Sequence, residues 1–224
     1  MRQMGVSFEE MTRKELKAGM EDGRFKAVIV AIGSIEQHED HLPMFHDTVH
    51  STHVAEEVAR RLFPDVLVTT PMNIGMSEHH MEIGGAVSMK PETLKIVIYD
   101  ICHGLQRMGF KNVLVMSGHA GNRPDLEGHV PEVGEQLGID ARFICYWDVV
   151  PQELGKSIIE TGIPSHAAEF ETSTALALYP DEVRLEDLDS NYAWGGLVSG
   201  EKGHRMLEAC IDGVAQLIGE MTQE

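Results

Sequence analysis

Short apolar runs alternate with longer amphipathic segments along the chain. The apolar runs have the length and composition of buried strands, and they span residues 26–32, 65–70, 112–117 and 141–147. The segments that separate and follow them repeat their apolar positions with helical spacing, and they span residues 51–62, 91–108, 124–137, 167–178 and 201–220. Strands that alternate with helices favour an α/β fold, in which a mostly parallel sheet carries helices on both faces.

One proline interrupts this pattern. Pro131 lies inside the third helical segment and lacks the amide hydrogen that a helix interior needs, so we expect that helix to be kinked or divided. No internal repeat, low-complexity tract or long linker separates the elements. With 224 residues, of which 42% are apolar, the chain is long enough for a complete hydrophobic core. We therefore expect one domain that spans residues 1–224.

Composition and charge exclude several classes of partner. No apolar stretch approaches the roughly 20 residues that cross a bilayer. The first residues lack the apolar centre of a signal peptide, so we expect a cytoplasmic protein with no membrane partner. The net charge of −18 repels phosphate backbones, which argues against nucleic acid as a partner. Cys102, Cys145 and Cys210 are widely spaced and are expected to be reduced core thiols.

Metal-ligating side chains crowd the segment behind the first apolar run, which reads AIGSIEQHEDHLPMFHDT. They are Glu36, His38, His41, His46 and Asp47. Glu36 and His38 are two residues apart, so they project to the same side of an extended strand. Carboxylate oxygen and imidazole nitrogen are ligands that suit Zn²⁺ or Mn²⁺. The alternative is a solvated, histidine-rich surface loop.

Two further polar motifs carry ligand types. His119 follows the third apolar run between glycines, in SGHAGN, where it resembles a ligand or is an incidental residue of a tight turn. The motif SHAAEFETS opens a helix with Glu169 and Glu171, which cannot share a helix face, so at most one should reach the site. Acids in a first helical turn also simply favour the helix dipole. His166 precedes this helix, where it can act as an acid or base.

A ligand set for two cations emerges from these motifs, provided that Asp47 bridges the pair. It consists of Glu36, His38, Asp47, His119 and Glu169. Two adjacent cations can hold a hydroxide between them and polarise a carbonyl oxygen, which is the chemistry of dinuclear hydrolases. The glycine-punctuated loop 73–89 between strand and helix is typical of a lid or a subunit contact.

The motifs resemble those of the creatininase family over nearly the whole length. Residues 33–48 read GSIEQHEDHLPMFHDT, which matches the family's GSxEQHxxHLPxxxDT in its spacing. SGHAGN at residues 117–122 is similar to NGHGGN, and HAAEFETS at residues 166–173 is similar to HAGEFETS. The match is looser in the loop 73–89 and in the last helix.

The resemblance implies a three-layer α/β/α domain with two divalent cations per subunit, Zn²⁺, Mn²⁺ or Fe²⁺. It also implies a homo-oligomeric ring, often a hexamer. A hydroxide that bridges the cations would attack the carbonyl of a small polar cyclic substrate and hydrolyse a C–N bond. Carried over by motif, the first cation would be held by Glu36 and His119, and the second by His38 and Glu169. Asp47 would bridge them, and His166 would transfer the proton.

Departures from the family pattern bear on the ligands and the substrate. The family's type member takes one carboxylate ligand from the position that Gly121 fills here, so Glu169 is expected to replace it. Glu39, Asp40 and His46 stand where the family has small residues, and with His80 of the loop 73–89 they are the expected substrate-binding residues. Such groups suit a hydroxyl-rich or cationic ligand.

Two alternatives to C–N hydrolysis remain open. The first is ring-opening C–C hydrolysis of an oxidised cyclitol, which needs the same machinery. The second is a non-catalytic metal-binding protein, which needs the ligands but neither a proton-transfer residue nor an open coordination position.

Overall fold

The computed structural model describes residues 5–188 and 190–223. Its strands are β1 Ala27–Ile32, β2 Ile35–Glu36, β3 Val66–Val68, β4 Ala86–Val87, β5 Asn112–Ser117 and β6 Asp140–Cys145. Its α-helices are α1 Arg13–Glu21, α2 His46–Arg61, α3 Pro91–Met108, α4 Arg123–Leu126, α5 His129–Leu137, α6 Gln152–Ile158, α7 Glu169–Leu178 and α8 Gly200–Met221.

The central sheet is parallel, with the strand order β3-β1-β5-β6. In its middle Ile29 stands beside Val68 on one side and Leu114 on the other. Every residue of β1 is buried, as expected of a strand that is covered on both faces. The short strands β2 and β4 pair antiparallel in a separate ribbon.

Helices cover both faces of the sheet, which confirms the predicted three-layer α/β/α fold. Helix α2 packs against β1 and β3 and is covered by α8, which also packs on α7, while α5 packs on β6 and on α3. Because parallel crossovers are right-handed, α2 lies on one face of the sheet, and α3 and α5 lie on the other. The chain leaves β1 toward β3 and then crosses to β5, so a crevice forms beyond the carboxyl ends of β1 and β5.

Most of the predicted elements are confirmed, and β5 and α3 begin and end at the predicted residues. Pro91 occupies the first turn of α3, and Gly109 ends that helix with a φ of 105°, which a residue without Cβ adopts at little cost. The predicted helix 124–137 is divided as expected, but the break falls at residues 127–128 rather than at Pro131. Pro131 lies in the first turn of α5, where its missing amide hydrogen is not needed.

Short elements were not predicted. Helix α1 begins with a capping box between Thr12 and Glu15. The helix has only nine residues, so its periodic signal was too weak to predict it. Helix α6 and the β2–β4 ribbon were also missed, since two-residue strands carry no periodicity. The three cysteines are buried free thiols. Within residues 5–188 and 190–223, no helix is both long enough and apolar enough to span a membrane.

Candidate metal centre

Polar side chains from three segments of the chain meet in the crevice beyond β1 and β5. Glu36 comes from β2 and His38 from the loop behind it, while Asp47 lies in the first turn of α2. His119 follows β5, and Glu171 lies in the first turn of α7. These five side chains are at most 6% exposed, and burial of so much charge requires close compensation.

Asp47 lies at the middle of the cluster, and each of its oxygens faces a different imidazole. Its Oδ1 is 3.1 Å from His38 Nε2, and its Oδ2 is 3.2 Å from His119 Nδ1. Glu36 Oε1 is also 3.2 Å from His119 Nδ1. Glu171 Oε2 is 3.7 Å from His38 Nε2. The cluster therefore has two halves that share Asp47.

Backbone carbonyls fix which nitrogen of each imidazole faces the cluster. His38 Nδ1 donates to the carbonyl of Glu36 at 3.1 Å, and His119 Nε2 donates to the carbonyl of Met76 at 3.0 Å. Since a carbonyl only accepts, the proton of each neutral ring lies on the outer nitrogen. The inner nitrogens then present lone pairs to the cluster, as they do in metal-ligating histidines.

The electrostatics of the cluster favour positive charge between its carboxylates. Burial would raise the pKa of Asp47, but the His119 and His38 imidazoles outweigh it and lower that pKa to about 2. In the same way, burial opposes a charge on the imidazoles, yet the carboxylates raise the pKa of His38 to about 9 and that of His119 to about 10. Bound cations would supply this positive charge in place of protons.

Unpartnered buried atoms show that the donor set fits metal ions. Glu36 Oε2, His38 Nε2 and Asp47 Oδ2 are buried and have no hydrogen-bond partner. Ligand atoms of Glu36, His38 and Asp47 lie within 4.8 Å of one another. Oxygen and nitrogen donors in this arrangement suit Zn²⁺, Mn²⁺ or Fe²⁺.

The structure does not bring Glu169, which was predicted as a ligand, into this cluster. Its Oε1 accepts a hydrogen bond from Lys202 Nζ at 2.6 Å, and its Oε2 accepts from the amides of Glu160 and Thr161 at 2.9 and 3.0 Å. Burial would raise the pKa of Glu169, but Lys202 and these amides lower it. Glu169 therefore fastens the loop that precedes His166 to α8.

Glu171 takes the place that was expected for Glu169. Its Oε2 accepts from the amide of Ala167 at 2.5 Å, and Ala167 has a φ of 49°, a strained value for a residue with a Cβ. Burial raises the pKa of Glu171 to about 7, against the opposing effect of His38. The strained turn thus directs the Glu171 carboxylate, rather than that of Glu169, toward the cluster.

A cavity of about 360 Å³ lies over the cluster. Seven of its lining residues carry a carboxylate or an imidazole, and the full lining consists of Glu36, Asp47, His79, His80, Gly118, His119, Ala120, Gly121, Pro164, His166 and Glu171. His166, the expected proton-transfer residue, has its Nδ1 3.6 Å from Glu36 Oε1. Burial and the nearby His38 lower the pKa of His166 to about 4.

Gln37 holds the histidines of this cavity. Its Nε2 lies 3.0 Å from His166 Nε2 and 3.0 Å from His80 Nδ1, and its Oε1 accepts from the amide of Glu39 at 2.8 Å. That last contact orients the amide group, so its NH₂ donates to both imidazoles. The proton of neutral His166 therefore lies on Nδ1, the nitrogen that faces Glu36.

Of the four expected substrate-binding residues, His80 lines the cavity and the other three do not. Glu39 and Asp40 are exposed, and the backbone of Glu39 turns away with a φ of 53°. His46 is 1% exposed and packs behind His38, with ring centroids 4.7 Å apart. None of these three lines the cavity, where the prediction placed them.

Sequence reasoning missed His79, which lines the cavity, and Gln37, which holds two of the cavity's histidines. His79 stacks on His119 with centroids 6.0 Å apart, and a ligand atom of His79 lies within 4.8 Å of those of Glu36 and His119. Gln37 stands between two predicted ligands, and that adjacency was the available signal. Strand alternation predicts that its side chain points away from Glu36 and His38, and it contacts His80 and His166, whose positions the sequence does not reveal.

Two glycines permit the close packing of the cluster. A Cβ on Gly118 would collide with the backbone carbonyl of Asp47, and a Cβ on Gly121 would collide with His119 Nε2. Position 121 therefore cannot supply a ligand without displacing His119.

Gly118→Ala is expected to destabilise the protein by about 1–3 kcal/mol, because a backbone carbonyl cannot rotate away from the added methyl group. Gly104→Ala is the matched control, since no atom lies within 4 Å of a Cβ at that position of α3. The control should gain about 0.5–1 kcal/mol. Thermal unfolding of both variants tests this, and equal stabilities would contradict it.

Buried carboxylates and imidazoles at the carboxyl edge of a parallel sheet define the chain as an α/β protein with a candidate metal centre. A family model described as creatinine amidohydrolase matches residues 9–218, and the chain belongs to this creatininase family. The family model and the relatives carry hydrolase names, so the chain is a creatininase-family hydrolase.

Three curated relatives show the range of the family. Creatinine amidohydrolase of Pseudomonas putida is 28% identical, over 94% of this chain and 95% of the relative. Mycofactocin precursor peptide peptidase of Mycobacterium ulcerans is 29% identical, over 75% of this chain and 64% of the relative. 3-Dehydro-scyllo-inosose hydrolase of Thermotoga maritima is 28% identical, over 83% of this chain and 60% of the relative.

Solved creatininase structures share the fold. The crystal structure of creatinine amidohydrolase is 27% identical with a TM-score of 0.85, over 99% of this chain and 100% of that one. A manganese form of creatininase and a zinc–zinc form of a creatininase mutant are each 26% identical over the same shares, with TM-scores of 0.84 and 0.83. These metal-bound relatives and the ligand groups in this chain support metal binding.

Proposed function

We propose that this chain hydrolyses a C–N bond in a small polar cyclic substrate, with two divalent cations bound side by side. The observation that carries the proposal is Asp47, whose two oxygens face His38 and His119 beneath the cavity. The first cation is assigned to Glu36 and His119, the second to His38 and Glu171, and Asp47 serves both. When bound, the cations would polarise the substrate carbonyl and lower the pKa of the attacking water.

The chain's own residues orient the reactants and move the proton. His166 is assigned to transfer the proton: its neutral ring would take up the proton that the attacking water loses and, once charged, would donate a proton from Nδ1, which faces the cluster, to the leaving atom. Gln37 orients the neutral ring by donating to Nε2. The carboxylates and imidazoles of the cluster are buried, which strengthens each electrostatic interaction among them.

The choice of C–N over C–C cleavage rests on the relatives and on the cavity. Two of the three relatives are named for an amidohydrolase and a peptidase, while the third is named for an inosose. The acidic residues that favoured a hydroxyl-rich ligand, Glu39 and Asp40, are exposed. The C–C alternative is therefore supported by one relative's name alone.

Product analysis distinguishes the two reactions. The zinc- or manganese-loaded protein is incubated with a panel of small cyclic amides and a panel of oxidised cyclitols, and amine and carboxylate are both measured. Amine and carboxylate released together support C–N hydrolysis. Carboxylate without amine from the cyclitols would replace it with ring-opening C–C hydrolysis, and no turnover of either panel would favour a non-catalytic metal-binding protein.

His166→Ala is expected to leave the cation content unchanged and to lower kcat by about 10²–10⁴-fold, the range for loss of a general acid or base. Metal analysis and turnover on the same preparation measure the two effects. His204→Ala, on the exposed face of α8, is the control and should retain both properties. Unaltered turnover in His166→Ala would remove this residue from the mechanism.

Assembly into a homo-oligomer, with a hexamer as the specific expectation, is also proposed. The loop that borders the cavity exposes Met81 by 46%, Ile83 by 69% and Val87 by 48%, and exposed apolar groups of this kind favour contacts between subunits. Light scattering should give a multiple of 24.8 kDa, and Ile83→Lys should reduce it. A wild-type mass of one chain would contradict the proposal.

A further inference from the structure

His46 is a buried histidine that neither the cavity nor the hydrophobic core accounts for. It begins α2, one residue before Asp47, and is 1% exposed. Its Nε2 has no hydrogen-bond partner. Such a group is costly to bury, so its free nitrogen calls for a partner that protein atoms do not provide.

The surroundings of His46 identify the kind of partner. One ring nitrogen of His46, one of His38 and a carboxylate oxygen of Glu171 all lie within 4.8 Å of one another. Nδ1 is occupied by the hydroxyl of Tyr179 at 2.7 Å, so Nε2 is the nitrogen that remains free. Ligand bonds of about 2.0–2.2 Å require only small side-chain movements for these three groups to close on one cation.

The hydrogen bond with Tyr179 gives His46 the same arrangement of ring nitrogens as His38 and His119. In those two histidines the outer nitrogen is hydrogen-bonded to an oxygen and the inner nitrogen faces the cluster. When His46 Nδ1 donates to the Tyr179 hydroxyl oxygen, Nε2 carries the lone pair and is free to bind a cation. This is the arrangement that orients metal-ligating imidazoles.

We infer that His46 is an additional ligand of the second cation, which therefore takes two imidazoles, His38 and His46, beside the carboxylates of Asp47 and Glu171. This inference rests on the proposed two-cation function. It gives this position a more nitrogen-rich donor set than the first one, and nitrogen donors favour Zn²⁺ over Mn²⁺.

X-ray absorption of the zinc-loaded protein tests the inference without an activity assay, because imidazole ligands are counted directly. His38 and His119 alone give one imidazole per zinc ion, and His46 raises this average by a half. The wild-type spectrum should show the higher value, and H46Q should show the lower one. Chelator competition should show weaker binding of the second zinc ion in H46Q, by about tenfold or more.

H50Q is the matched control. His50 is also buried with an unpartnered Nε2, and it stacks on His46 with ring centroids 3.9 Å apart, but it belongs to none of the ligand groups found in the described residues. Zinc affinity and imidazole number should be unchanged in H50Q. Equal zinc loss in H46Q and H50Q, or one imidazole per zinc ion in the wild type, would overturn the inference.

The wild-type spectrum can overturn the inference even where H46Q does not fold. Two zinc ions with one imidazole each would reject the role of His46 and leave the proposed function intact. Absence of stoichiometric zinc from the wild-type protein would instead reject the two-cation proposal and the role of His46 with it.

Discussion

Asp47→Asn is expected to lose both cations and to lower turnover by about a thousandfold or more. Asparagine has nearly the same shape, but it lacks the negative charge that both halves of the cluster share through Asp47 Oδ1 and Oδ2. Bound cations supply several kcal/mol of transition-state stabilisation, and each 1.36 kcal/mol corresponds to a factor of ten in rate.

Elemental analysis should show that the cation content falls from two equivalents in the wild type toward zero in Asp47→Asn. Added zinc should no longer raise the melting temperature of the variant, because only a bound ligand stabilises the folded state. Asp40→Asn is the control, because it removes the same charge from an exposed position in the same segment. Retention of one full equivalent in Asp47→Asn would contradict the shared role of this carboxylate.

The fold could be predicted because its signals are long and repetitive. The apolar run that became β1 and the helix Pro91–Met108 each carry several periods of a pattern that only one structure satisfies. The carboxyl ends of β1 and β5 then fall together as a consequence of strand order. That is why polar residues behind a buried strand, such as Glu36 and His38, could be recognised as a site before their contacts were known.

The choice between Glu169 and Glu171 could not be made in this way. Both acids lie in the first turn of α7, and which of them faces the cluster depends on where the helix begins and how the preceding turn is built. The strained φ of 49° at Ala167 and the position of Lys202 on α8 decide it. Neither leaves a local trace in the motif, since one is a backbone conformation and the other lies 33 residues away.

Glu39, Asp40 and His46 do not lie where the sequence predicted them, for a related reason. Residue type and distance along the chain from a ligand do not reveal which way a loop turns. The positive φ at Glu39 directs its amide to Gln37 and its side chain to solvent. His46, in contrast, is buried and packs against His38 rather than lining the cavity.

Glu171→Gln is expected to lose one cation and to lower turnover by about a thousandfold, on the same reasoning as for Asp47. Glutamine can still accept from the amide of Ala167, so the strained turn and the stability of the cation-free protein should change little. His119 and Glu36 remain intact, and the first cation should stay bound. Cation content and thermal unfolding, measured with and without added zinc, separate these effects.

Glu169→Gln, two residues away, should give the opposite result. It removes the charged group that Lys202 Nζ contacts at 2.6 Å and weakens the bonds from the amides of Glu160 and Thr161. Hydrogen bonds to charged groups are worth about 1.5–3 kcal/mol, so we expect a loss of stability of that order with both cations retained. If Glu169→Gln loses a cation and Glu171→Gln keeps two, the assignment of Glu171 is wrong and Glu169 is the ligand.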